Sequence, residues 1–274
     1  MDPSRKRGIE ATLCFTPPSH APEPTIVNQV ILVTGGSRGI GAATARLAAE
    51  RGYAVCLTYK NNREAAEAIA NEIKRNGGKA LALAGDVGVE ADVLRVFEQM
   101  DAALGRITAL VNNAGMLERQ MRVEDMTVDR WQRVLTANVI GSFLCAREAV
   151  RRMSTKHGGT GGAIVNLSSA ASRLGAPGEY VDYAASKGAI DAFTIGLAKE
   201  VAAEGIRVNA VRPGVIYTEL HAAGGEPDRV DRVKSAVPML RGGHPEEVAR
   251  AVLWLLSDEA SYSTGTTIDV SGGR

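Results

Sequence analysis

The feature that most constrains this chain is a glycine-rich turn set between a short apolar run and a helical pattern. Val30–Thr34 reads as a β-strand and runs directly into Gly35, Gly36, Ser37, Arg38, Gly39, Ile40 and Gly41, where a segment of helical spacing begins. A chain that leaves a strand, turns sharply and enters a helix at once needs residues that tolerate positive φ and let other backbone come close. The same geometry aims the unpaired N–H groups of the helix start outward, where they favour an anion such as a pyrophosphate. The spacing is G-x-x-x-G-x-G, not the G-x-G-x-x-G dinucleotide fingerprint, so by itself the turn also fits an ordinary β–α connection.

Beyond the turn the same alternation of strand and helix recurs. Tyr53–Thr58, Ala80–Ala84, Ala109–Asn112, Ala163–Leu167, Ile206–Val211 and Thr266–Asp269 are strand candidates. Between them lie the helical segments Ile40–Arg51, Arg63–Asn76, Glu90–Leu104, Val128–Met153, Tyr183–Ala203 and Pro245–Ser257. Continuous apolar strands separated by helices of this length imply parallel strands covered on both faces, a doubly wound α/β sheet. With 274 residues, 45% of them apolar, the chain fits one such domain, expected over 28–274. Residues 1–27 hold five of the ten prolines without periodicity and read as a disordered tail. The least regular stretch, about 216–243, reads as a mobile lid over a site.

Charge and cysteine usage narrow the function. Lys plus Arg number 32 against 31 Asp plus Glu, so no broad field draws the chain to nucleic acid or to an anionic membrane. Cys14, Cys56 and Cys145 are an odd set without C-x-x-C spacing, which fits a reducing compartment and a cytoplasmic location. No apolar run reaches the ~18 residues of a membrane span, and Arg5, Lys6 and Arg7 lead into prolines and not into the apolar core of a signal peptide. His20, His157, His221 and His244 fit no close metal-ligand spacing, and no metal is implied.

Two further patterns carry chemistry. Where an acidic residue at the end of the second strand would hold the ribose 2′-hydroxyl of NAD, this chain reads Thr58, Tyr59, Lys60, Asn61, Asn62, Arg63. Arg38 and Lys60 are instead placed to neutralise a 2′-phosphate, which favours NADP(H), with NAD(H) open as the alternative. Tyr183 and Lys187 form Y-x-x-x-K, one helical turn apart on one face. A phenol with a pKa of ~10 is a poor base at neutral pH, and a nearby cation favours its phenolate, so the pair can pass a proton.

Taken in order, these motifs resemble those of the short-chain dehydrogenase/reductase family. The glycine turn is similar to its T-G-x-x-x-G-x-G, and Asn112-Asn113-Ala114-Gly115 to its N-N-A-G after the fourth strand. Asn138 stands where its catalytic asparagine is expected, Ser169 in Asn166-Leu167-Ser168-Ser169 matches its catalytic serine, and Pro213-Gly214 matches its turn after the sixth strand. The resemblance spans about 28–274 and implies a Rossmann-like, single-domain fold.

It also implies roles. Ser169 would hydrogen-bond the substrate oxygen, with Ser168 as the alternative, and Tyr183 would pass the proton. Lys187 would hold the nicotinamide ribose and lower the tyrosine pKa, and Asn138 would anchor a water beside Lys187. Gly35, Ser37, Arg38, Gly39, Ile40, Gly41, Tyr59 and Lys60 would meet the adenosine and phosphate half of the cofactor, with Asp86 and Val87 at the adenine. Asn112, Ala114 and Gly115 would floor the cleft, and Pro213, Gly214, Val215 and Thr218 would lie at the nicotinamide. One departure stands out: the interval from Ser169 to Tyr183 is one residue longer than the commonest family spacing, with Glu179 and Tyr180 in the affected loop. The expected activity is hydride transfer between nicotinamide and a small-molecule secondary alcohol or ketone, in a homotetramer built on Val128–Met153 and Tyr183–Ala203. The alternative is a catalytically idle nucleotide sensor or scaffold of the same fold, which need not retain all of Asn138, Ser169, Tyr183 and Lys187.

Overall fold

The structure, a computed structural model, describes residues 29–274. The expected tail over 1–27, with Cys14 and His20, lies outside the described residues. Seven strands form one all-parallel sheet: β1 Val30–Val33, β2 Ala54–Tyr59, β3 Ala80–Ala84, β4 Ala109–Asn112, β5 Gly162–Leu167, β6 Ile206–Pro213 and β7 Thr267–Val270, in the order β3-β2-β1-β4-β5-β6-β7. The connecting helices are α1 Gly39–Glu50, α2 Arg63–Arg75, α3 Glu90–Leu104, α4 Val128–Leu135, α5 Gly141–Met153, α6 Ala171–Leu174, α7 Val181–Val201, α8 Leu220–Ala223, α9 Arg229–Val233 and α10 Pro245–Leu256.

The central strands β1, β2, β4 and β5 are apolar along most of their length because both faces are covered. Ile31 and Val33 of β1 pack with Val55, Leu57, Ala45, Ile73 and Val252 toward α1, α2 and α10. Their neighbours Val30 and Leu32 point the other way, into Phe97, Met100, Ala149, Met153 and Val201 of α3, α5 and α7. The strand order reverses between β1 and β4, and a crevice at the carboxyl ends of the strands beside such a switch is where open α/β sheets bind ligands.

The expected helix 128–153 is continuous but carries a wide π-type turn at Thr136–Ile140, in which the Gly141 N–H reaches back five residues to the Thr136 carbonyl, so α4 runs into α5 with Asn138 in the turn between them. Among the described residues no helix is long and apolar enough to cross a membrane.

Candidate active site

The glycine turn is built by close approach. Gly35 and Gly39 sit at φ +63° and +52°, and a Cβ on Gly41 would stand 2.4 Å from the Gly35 carbonyl oxygen. Thr58 Oγ1 accepts the Gly35 N–H at 3.1 Å, and Thr34 Oγ1 accepts the N–H groups of Asn113 and Ala114, both at 3.0 Å. Asn113 returns its amide to the carbonyls of Thr34 and Gly35, at 2.8 and 3.0 Å. The carboxyl ends of β1, β2 and β4 thereby hold the start of α1 at the switch point. No side chain caps that helix start and its first turn holds no acid, which leaves it suited to an anion.

A cavity of about 630 Å³ opens over this turn. Gly35, Ser37, Arg38, Gly39, Ile40, Tyr59, Lys60, Asp86, Val87, Ala114, Gly115, Ser169, Tyr183, Lys187, Pro213, Gly214, Val215 and Thr218 all line it. Gly41, Asn112 and Asn138 do not. Gly41 is a packing glycine beneath the turn. Asn112, expected in the floor, turns inward and gives its amide to Asn166 Oδ1 at 2.9 Å and the Ser142 carbonyl at 3.2 Å, joining β4 to β5 and α5. It is the last residue of β4, buried and in register with Asn166 of β5.

The adenosine end also corrects an expectation. Lys60 is not free: its Nζ lies 2.6 Å from Asp86 Oδ2, because Tyr59 and Ala84 are partners in register and the two residues leave neighbouring strands side by side. Arg38 is exposed at the cavity wall, and among the described residues no carboxylate pairs with it.

At the other end, Tyr183 stands in the first turns of α7, with the Lys187 ammonium 5.6 Å from its ring centre. Lys187 Nζ donates to the Leu167 carbonyl at 2.6 Å. Ser168 is buried and its hydroxyl is turned to the Lys187 carbonyl at 3.3 Å, whereas Ser169 faces the Tyr183 phenol and accepts the Ala171 N–H at 3.2 Å. Asn138 is buried and clamps Met116, accepting its N–H at 2.7 Å and donating to its carbonyl at 3.1 Å, while also donating to Ser186 Oγ at 3.0 Å. Ser186 in turn donates to the Tyr183 carbonyl at 2.7 Å. A Cβ on Gly115 would lie 3.2 Å from Asn138 Oδ1 and 3.7 Å from Lys187 Nζ, so the glycine lets both groups approach the cavity floor.

The electrostatics differ from a simple cation-activated phenol. Burial raises the Tyr183 pKa, and the facing Ser169 hydroxyl works against that rise. Burial lowers Lys187 to about 8, with Asp191 acting in the opposite sense. In this geometry burial holds Tyr183 as the neutral phenol at neutral pH. Ser186 and Asn113 support the site from within Y-A-A-S-K and N-N-A-G, and their place inside those two motifs is the signal that marks them. His221, Glu179, Tyr180 and Arg229 also line the cavity; nothing in the local sequence around Arg229 marks it for that place.

A helix start suited to an anion at the switch point of a doubly wound sheet, with a phenol, a hydroxyl and an ammonium at the far end of the same cavity, is an arrangement suited to an oxidoreductase. The comparisons with known proteins agree. Residues 35–274 match the family model described as enoyl-(acyl carrier protein) reductase. The chain is 61% identical to the uncharacterized oxidoreductase YgfF of Escherichia coli (strain K12), over 89% of this chain and 99% of that one. It is 39% identical to a 3-oxoacyl-[acyl-carrier-protein] reductase of Synechocystis, over 89% of this chain and 96% of that one. A crystal structure of a short-chain dehydrogenase from Burkholderia cenocepacia J2315 in complex with NADP superposes with a TM-score of 0.82 at 31% identity, covering 90% of this chain and 97% of that chain. The chain belongs to the short-chain dehydrogenase/reductase family and is an oxidoreductase.

Proposed function

We propose that the chain is an NADP(H)-dependent oxidoreductase that transfers a hydride between nicotinamide and the carbon of a secondary alcohol or ketone, with Tyr183 as acid/base. The observation that carries this reading is that Tyr183, Ser169 and Lys187 share one cavity with the glycine turn and the exposed Arg38. The relative crystallised with NADP supports the choice of cofactor. The N–H groups at the start of α1 would hold the pyrophosphate, Arg38 the 2′-phosphate and Lys187 the nicotinamide ribose. Bound there, the nicotinamide supplies or accepts the hydride. Ser169 donates a hydrogen bond to the substrate oxygen, where negative charge grows during reduction. Tyr183 delivers its phenolic proton to that same oxygen, the role its neutral state suits, and takes it back in the reverse direction. Exposed Leu135, Ile140, Phe143 and Ile195 on the α4, α5 and α7 side favour the expected homotetramer.

The test is a screen of ketones, acyl thioesters, sugars and polyols with NADPH and NADP, followed by Tyr183→Phe on whichever substrate turns over. The variant keeps the ring and loses the transferable proton, so kcat should fall at least ~10²-fold while NADPH binding, followed by fluorescence, persists. Near-normal turnover by the variant removes Tyr183 from the chemistry.

A further inference from the structure

The far end of the cavity holds a cluster that hydride and proton transfer do not use. Gly175, Ala176 and Gly178 take positive φ of 75°, 46° and 71°, and the Ala176 carbonyl accepts the N–H groups of Glu179 and Tyr180 at 3.2 and 3.1 Å. This tight loop, the one that carries the extra residue before Tyr183, presents Glu179 and buries the Tyr180 ring. Arg229 of α9 meets both. Its two terminal nitrogens reach the Glu179 carboxylate at 3.1 and 2.5 Å, and its guanidinium lies 5.2 Å above the Tyr180 ring centre. Arg229 also donates to Glu226 at 2.7 Å, and Glu226 takes further hydrogen bonds from Arg232 and Gln120. The Met121 N–H closes the circuit on the Glu179 carbonyl at 3.0 Å.

Three segments that border the cavity are thus joined at one place: the loop after β4, the loop before α7, and the 216–243 stretch. The last of these begins and ends together, since Tyr217 donates to the Gly243 carbonyl and Gly243 to the Val215 carbonyl, both at 2.9 Å. A stretch hinged in this way needs an anchor at its outer part, and Arg229, only 12% exposed in its side chain, sits there. The charges cancel within the cluster, two arginines against two glutamates. His221 adds none: its Nε2 bonds the Ile216 carbonyl at 3.1 Å, and burial together with Arg229 lowers its pKa. Leu174, Ile216 and Leu220 add apolar surface to the cavity, which Glu219 and Arg274 also line.

We propose that Glu179, Tyr180, Arg229 and Glu226 form a latch that pins 216–243 over the substrate end and restricts the site to compact carbonyl or alcohol substrates. This rests on the oxidoreductase reading above. The residues that would hold the dinucleotide, from Arg38 to Lys187, line much of the 630 Å³ cavity. The space left over is walled by the latch, so an acyl thioester with a long arm must break the latch to enter.

The experiment uses the full chain with NADPH, comparing wild type, Glu179→Gln and Arg229→Lys, the second of which keeps charge but loses two-pronged geometry. Hydrogen exchange of the amides over 217–232 should be faster in both variants. With a four-carbon diketone and acetoacetyl-coenzyme A as probes, wild type should favour the diketone in kcat/KM, and each variant should reduce that preference by about tenfold. Unchanged exchange in both variants, a wild type that favours the thioester, or an unaltered preference in the variants overturns the latch. Wild type that binds NADPH yet reduces neither these probes nor any ketone, acyl thioester, sugar or polyol of the screen above counts against the hydride-transfer reading instead, and the exchange measurement still decides whether the latch exists.

Discussion

Arg130 and Asp182 close a fully buried, two-pronged ion pair one residue ahead of Tyr183. Arg130 Nε and Nη2 donate to the two carboxylate oxygens at 2.7 and 3.1 Å, and Asp182 Oδ1 also accepts the Tyr183 N–H at 2.9 Å. The third arm of the guanidinium donates to the Arg119 carbonyl at 2.6 Å, so α4, α7 and the loop after β4 meet at this pair.

Removing one member strands a buried charge. Asp182→Ala should cost about 3–5 kcal/mol in a urea melt, whereas Arg130→Met/Asp182→Leu should recover most of that loss. The double variant still lacks the acceptor for the Tyr183 N–H, so its kcat should stay low while its KM for NADPH is unchanged. Full recovery of kcat alongside stability would show that the pair does not position Tyr183.

Cofactor preference should depend on Arg38 more than on Lys60. A charge-assisted hydrogen bond contributes about 1.5–3 kcal/mol, so Arg38→Ala should lower kcat/KM for NADPH at least tenfold and leave NADH nearly unaffected. Lys60→Ala should do less, because Lys60 already has Asp86 as a partner. Added salt should weaken NADPH more than NADH at this exposed end. Equal turnover with both cofactors in the unmodified chain would refute the assignment.

Lys187 carries a stability cost that pH should reveal. Its folded pKa, lowered by burial to about 8, lies below the ordinary 10.5 of the unfolded chain. Between those values the unfolded state binds more protons, so stability rises with pH. Each pH unit separating the folded and unfolded values is worth about 1.4 kcal/mol. Wild type should therefore gain on Lys187→Met by up to about 3 kcal/mol from below pH 8 to above pH 10. The raised pKa of Tyr183 acts in the opposite sense above pH 10, so urea melts at about pH 7 and about pH 9.5 are the comparison to make. An equal gap at both would mean that Lys187 titrates normally.

Glycine positions should separate sharply. A Cβ on Gly41 would lie 2.4 Å from the Gly35 carbonyl oxygen and 2.5 Å from Asn113 Nδ2, so Gly41→Ala should cost about 1–3 kcal/mol and weaken NADPH binding. In α7 a Cβ on Gly196 meets nothing within 4 Å, and Gly196→Ala should be neutral or stabilising by about 0.5–1 kcal/mol. Melting curves for the two variants decide the point.

The sheet was legible because burial on both faces writes its central strands as near-continuous apolar runs; β3 and β4 begin and end at the predicted residues. Much of the site was legible because its residues stand at strand ends or in one helical turn, where local spacing is also spatial spacing. Contacts between distant segments were not. Arg130 and Asp182 are 52 residues apart, and Glu179 and Arg229 are 50 apart, with no local pattern to join them. The inward turn of Asn112 and the pairing of Lys60 with Asp86 depend on which strands are neighbours, which the motif alone does not state.

The wide turn at Thr136–Ile140 has a consequence for engineering the chain. It holds one residue more than an α-helical turn of the same length, and one residue is roughly 100° of rotation about a helix axis. The turn therefore works as a phase shifter within one rod: α4 can aim Arg130 at Asp182 while α5 presents Cys145, Ala149 and Met153 to the sheet. Excising a single residue there would leave a regular, unbroken helix with better backbone geometry than the native one. It would also swing one half of the rod out of step with the other, so that either the ion pair beside Tyr183 or the packing beneath β4 and β5 must be given up.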